Sequence, residues 1–265
     1  MTTRLVSQPV SSHRCIAPPA GLVVIAVGCL VLLGWTFDIV FFKSVFPGFV
    51  SMNPTTALGF ILSGAALRSL IVKETHRGFR ILTRVCGFVI ALLGALKLGE
   101  YLFHWNLEMD RLLFREAQGA AGASPSRIAA TTALNFLLLG SAFVFHDVET
   151  RRGRRPAHTL ILLAAFVSFL AVIGYTYGVK YFYGISMALH TALTFIALCA
   201  GLLCARPKDG LMQMITSDRM GGIIMRRLLP AALVLPIFLG SMELMGLQAG
   251  WYDTEFGSAL YAALR

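Results

Sequence analysis

Residues 15–37, 44–67, 128–146, 156–179 and 181–205 contain no Asp, Glu, Lys or Arg. A helix needs about 20 mostly apolar residues to cross a hydrocarbon core of roughly 30 Å, and these stretches have that length. The chain as a whole is 57% hydrophobic and only 14% charged, far below the roughly 25% charged content of an average soluble domain. An all-α integral membrane protein is expected, with little sequence left over for a soluble domain.

One pattern returns within these segments. Thr56-Ala57-Leu58 with Phe60 comes back as Thr132-Ala133-Leu134 with Phe136, and again as Thr191-Ala192-Leu193 with Phe195. Eight residues after each threonine stands a small residue: Gly64, Gly140 and Cys199. A repeated unit constrains the fold more than any single segment does. One helical element is used at least three times.

In chain order, spans are expected at about 20–41, 53–71 and 81–103. A fourth starts after Ser124-Pro125 and ends near residue 145, and three more cover about 156–179, 185–204 and 228–247. Asn53-Pro54 reads as an N-cap followed by proline at the first helical position. Residues 206–227, with Gly221-Gly222 and Arg226-Arg227, read as a mostly polar loop whose arginines anchor the seventh span. The apolar decapeptide 256–265 would rise only about 15 Å as a helix, which reads as the start of an eighth span. The expected fold is therefore seven complete transmembrane helices plus the beginning of an eighth, built from repeated antiparallel hairpins. Residues 1–19 form a tail and 20–265 a single transmembrane domain, interrupted in that eighth span.

Charge gives the orientation. Sixteen Lys and Arg fall on the side of the amino terminus and of the loops after spans two, four and six, against six on the other side, leaving out Arg265. The positive-inside rule then places the amino terminus in the cytoplasm. The net charge of +10 is thus read as topology and anionic-lipid contact, not as a nucleic-acid surface. The five cysteines show neither a CxxC pair nor metal-ligand spacing and read as small core residues.

Two readings of the repeat stand side by side. Ala57 and Gly64, Ala133 and Gly140, and Ala192 and Cys199 each lie seven residues apart on one helix face, where helices can approach closely in lipid. The threonines in turn sit at three outward-facing helix N-termini, whose partial positive charge attracts anions or polar ligands. A small-ligand pocket at the outer face would draw on Asn53, Thr55, Thr56, Thr132, Asn135, His190, Thr191 and Thr194. Lys97, Glu100 and His104 share a face near the outer end of the third span, and Glu243 lies in the seventh. Intramembrane ionisable residues invite a functional reading, which brings Glu100 into the candidate ligand set. Near the interface these groups can also snorkel to water and pair with one another. His104 and His190 have no metal-site spacing, and no catalytic signature of the GxSxG, Walker or HExxH type is present. No cofactor, metal or catalytic residue is expected.

At the level of motifs the chain resembles a multi-spanning membrane region found at the amino terminus of bacterial signalling proteins, ahead of PAS domains and histidine-kinase or GGDEF outputs. The resemblance rests on Met52 to Leu67, Thr131 to Ala142, the run Ser186 to Leu193, Ala205-Arg206-Pro207 with Gly210-Leu211-Met212, and Gly221 to Pro230. Glu100-Tyr101-Leu102, Asp110-Arg111-Leu112-Leu113 and Trp251-Tyr252-Asp253 with Phe256-Gly257 fit the same pattern. It implies a sensory input region that passes an outer-face or intramembrane stimulus to a cytoplasmic output, and a homodimer formed through that output. It assigns no ligand. The alternatives are a small permease or channel, in which repeats flank a midplane path, and a membrane redox subunit with a histidine-bound cofactor.

Overall fold

The computed structural model describes residues 17–44, 50–72, 77–104, 128–150, 155–176, 187–205 and 220–248. Among these residues it is entirely helical: α1 (Ala17–Thr36), α2 (Val40–Lys43), α3 (Pro54–Val72), α4 (Arg77–Leu102), α5 (Ala130–Val144), α6 (Pro156–Thr176), α7 (Leu189–Ala205) and α8 (Met220–Gln248).

Six long helices form three antiparallel hairpins, α1/α3, α4/α5 and α6/α7, arranged as a closed ring in which α7 packs back on α1. The second helix of each hairpin carries the repeat and lies inside, where α3, α5 and α7 also touch one another. The first helix of each hairpin lies outside and exposes large apolar side chains, such as Leu22, Phe88 and Phe166. Helix α8 packs chiefly on α6.

The small-residue seam operates within the hairpins. Gly21 and Gly28 on α1, seven residues apart, face Gly64 and Ala57 on α3. A Cβ at Gly28 would stand 2.7 Å from the Ala57 carbonyl oxygen, and one at Gly64 would stand 2.8 Å from that of Gly21. Gly87 and Gly94 on α4 repeat the arrangement. A Cβ at Gly140 would meet the Gly87 carbonyl at 2.7 Å, and one at Gly94 the Ala133 carbonyl at 2.6 Å. Backbones this close are possible only without side chains, which is how helices gain van der Waals contact in lipid. The third hairpin has Ala164 and Ala171 on α6 and Ala192 and Cys199 on α7, all buried.

Among the described residues four helices are long and apolar enough to cross a membrane: α1, α3, α4 and α6. This corrects the expected seven complete spans. The repeat helices α5 and α7 have only 15 and 17 residues, about 22 and 25 Å, because they begin after Ala129 and Ala188 instead of near residues 126 and 185. The first span also ends early: α1 stops at Thr36, and Asp38 turns the chain with a φ of 56°. In the other direction, α8 starts at Met220, so Gly221-Gly222 and Arg226-Arg227 are helical where a loop was expected. The tail 1–16, the connections 105–127, 177–186 and 206–219, and the segment 256–265 that reads as an eighth span lie outside the described residues.

The two ends of the bundle differ. The end holding the C-terminus of α3, the N-terminus of α4 and the turn after α5 carries Arg80 and Arg84, both 3.3 Å from the Asp147 carboxylate, and the Arg155–Glu149 pair. Between these helices Ser69 Oγ and Thr83 Oγ1 lie 3.2 Å apart. The opposite end holds the N-termini of the three repeat helices.

Candidate functional site

In each repeat helix the threonine and phenylalanine are four residues apart, one above the other on a single face. That face is turned to the axis. Phe60, Phe136 and Phe195 are fully buried and touch one another, with ring centroids 5.5, 4.7 and 5.0 Å apart, in the tilted and edge-on geometries aromatic rings prefer. Gly59 makes room for this cluster, since a Cβ there would lie 2.6 Å from the Phe136 ring.

One turn above the rings, Thr56, Thr132 and Thr191 line a single cavity. Asn53, Ala129 and Ala188, each three residues before a threonine, stand beside them, with Met52 and Ile128 at the rim. The volume is about 20 Å³, room for a water or an ion of similar size. No lining residue among those described is charged. The threonines are 2%, 3% and 2% exposed. Among the described residues no protein group hydrogen-bonds their hydroxyls.

Local sequence explains the N-termini. The Asn53 side chain accepts the Thr55 N–H at 2.8 Å, so Asn53 caps α3 and Pro54 takes the first helical position, as expected from sequence. Helix α5 starts at N-cap Ala129 with no side-chain cap, which leaves first-turn N–H groups without that partner.

A threefold latch holds these N-termini in place. Trp35 Nε1, near the end of α1, donates to the Met52 carbonyl at 2.9 Å; Tyr101 Oη, near the end of α4, donates to the Ile128 carbonyl at 2.8 Å; and Tyr175 Oη, near the end of α6, donates to the Met187 carbonyl at 2.8 Å. All three acceptors lie four residues before a repeat threonine. Three residues after the first two latch residues, Asp38 and His104 adopt φ of 56° and 53°, the left-handed turn that closes many helices. Gly178 holds the third equivalent position in sequence, outside the described residues. The sequence patterns above do not announce the latch. The aromatics stand 21, 31 and 16 residues before their threonines, so no fixed spacing in the sequence marks it.

Of the nine candidate ligand residues, the structure brings Asn53, Thr56, Thr132 and Thr191 together around one cavity; the other five do not line it. Thr55 is buried beside its cap. Asn135 Nδ2 donates to Ser168 Oγ at 2.8 Å, and that hydroxyl donates to the Ala164 carbonyl, a polar tie between α5 and α6. The His190 carbonyl accepts the Thr194 hydroxyl at 2.6 Å. Glu100 accepts from Lys97 Nζ at 3.1 and 3.2 Å; Lys97 is only 3% exposed, so this pair forms without the lysine reaching out to water. His104 stands exposed after α4. The side chain of Glu243 lies outside the described residues. Among the described residues no three His, Cys, Asp or Glu side chains gather.

Compared with protein-family models, with curated protein sequences and with solved structures, the chain matches none.

Proposed function

We propose that this chain is the membrane-embedded sensory input module of a bacterial signalling protein of the histidine-kinase or diguanylate-cyclase type. It would sit in the inner membrane with the amino terminus in the cytoplasm and seven crossings. In this reading the short helices α5 and α7 cross because the ring of outer helices shields their ends, and an eighth crossing that follows α8 carries the signal inward. The observation that carries the proposal is the convergence of three repeated helix N-termini on one polar cavity. A ligand there touches all three hairpins at once, so its binding biases their mutual packing, which is what a sensor needs. The motif resemblance points the same way, and places dimerisation in the output.

The permease reading is weakened by the axis itself. Directly below the cavity Phe60, Phe136 and Phe195 fill it, leaving no polar path along the repeats, and the described repeat helices are unbroken where a transporter site would have discontinuous ones.

The test has two arms: reading the gene beyond the Arg265 codon and measuring solute flux in liposomes reconstituted with the protein. An in-frame PAS, kinase or GGDEF region without flux supports the proposal. A stop codon at that point together with solute flux overturns it.

A further inference from the structure

We propose that the cavity between Thr56, Thr132 and Thr191 binds one small monovalent anion, of halide size. This rests on reading the cavity as the input site and names the chemistry of its ligand.

The cavity is built to donate. Three threonine hydroxyls line it on residues at most 3% exposed, and no protein group among the described residues takes their protons. The carbonyls at the start of the three repeat helices each already accept one hydrogen bond. Those of Met52, Ile128 and Met187 accept the latch hydrogen bonds. Those of Asn53, Ala129 and Ala188 accept the first helical bonds from the N–H groups of Ala57, Ala133 and Ala192, at 3.2, 3.0 and 3.0 Å. A cation would have to share these oxygens with those hydrogen bonds. A guest there meets three threonine hydroxyls, which can donate, and the positive ends of three helix dipoles, which favour negative charge.

Size narrows the class. A volume of about 20 Å³ suits one particle close to a water molecule in size. The threefold arrangement suits a spherical ion, because three equivalent donors can contact it together while the Phe60–Phe136–Phe195 cluster closes the floor. With no Lys or Arg among the described lining residues, binding rests on dipoles and hydroxyls alone, so a water molecule is the natural competitor.

The full chain in nanodiscs, at constant sodium and constant ionic strength, is melted while gluconate is replaced by chloride or bromide. The proposal expects a saturating rise in Tm with either halide, lost or at least halved in Thr132→Val and Thr191→Val and kept in Thr132→Ser. Line broadening of the chloride NMR signal by the wild-type protein, reversed by bromide, reads the same binding should the valine variants not fold. Equal melting in halide and gluconate with no line broadening would mean that the cavity holds water only, and overturns the proposal. So does a halide shift that persists unchanged in both valine variants. Halide binding by a chain that lacks an output domain would leave the anion site standing and remove the sensor; an output domain with no halide effect would do the reverse.

Discussion

Tyr101 and Ile128 are 27 residues apart in sequence, yet the tyrosine hydroxyl donates to the Ile128 carbonyl at 2.8 Å, tying the end of α4 to the start of α5. This bond fixes where α5 begins, because Ala129 at its N-cap has no side chain to do so. Tyr101→Phe keeps the ring and removes only the hydroxyl. It is expected to destabilise the bundle by about 1 kcal/mol, the usual net value of one hydrogen bond, and Tyr175→Phe by a similar amount, both read as the shift in the denaturant midpoint.

The aromatic cluster on the axis should be the most sensitive point of the core. Phe136→Ala removes a fully buried ring that touches both Phe60 and Phe195, and about 3–5 kcal/mol of stability should go with it. Phe136→Leu, which refills much of the space, should lose less than half of that in the same unfolding assay.

Glycines with different surroundings should respond with opposite sign. A Cβ at Gly140 would meet the Gly87 carbonyl at 2.7 Å, so Gly140→Ala must push α4 and α5 apart and should cost about 1–3 kcal/mol. At Gly78 nothing lies within 4 Å. Gly78→Ala should therefore be neutral or stabilising by up to about 1 kcal/mol, through helix propensity. Thermal melting of the two variants side by side checks the sign.

Orientation can be read by chemical labelling. In a background without the five native cysteines, a cysteine at the exposed position His104 should react with a membrane-impermeant maleimide on intact cells. One at the exposed position Glu149 should react only after permeabilisation. The reverse pattern would put the amino terminus outside.

The axis-facing stripe was legible in the sequence because a helix repeats its faces every three to four residues, so Thr and Phe at i and i+4 announce one face and the Ala/Gly pair another. The Asn53-Pro54 start was legible because the cap is a side-chain function. What could not be read was anything held by backbone acceptors: the latches end on the carbonyls of Met52, Ile128 and Met187, and a carbonyl leaves no trace in residue identity. The start of α5 was misplaced for the same reason, since the latch does there what a polar cap does in α3. Hydropathy also made α5 and α7 look as long as true spans, because the apolar residues before them line the cavity and its rim instead of extending the helix. Nor did the pattern tell whether three hairpins stand in a row or close on themselves; that depends on α7 packing against α1, a contact between the two ends of the repeat array.

The central claim is that the three repeat helices meet around one axis with their threonines at one cavity. Cysteine pairs at 56/132, 132/191 and 56/191, in the cysteine-free background, test it with a short thiol-specific cross-linker. The closed threefold arrangement predicts that all three pairs cross-link at comparable rates. Cross-linking of 56/132 and 132/191 with none at 56/191 would mean an open row of hairpins, and would contradict it.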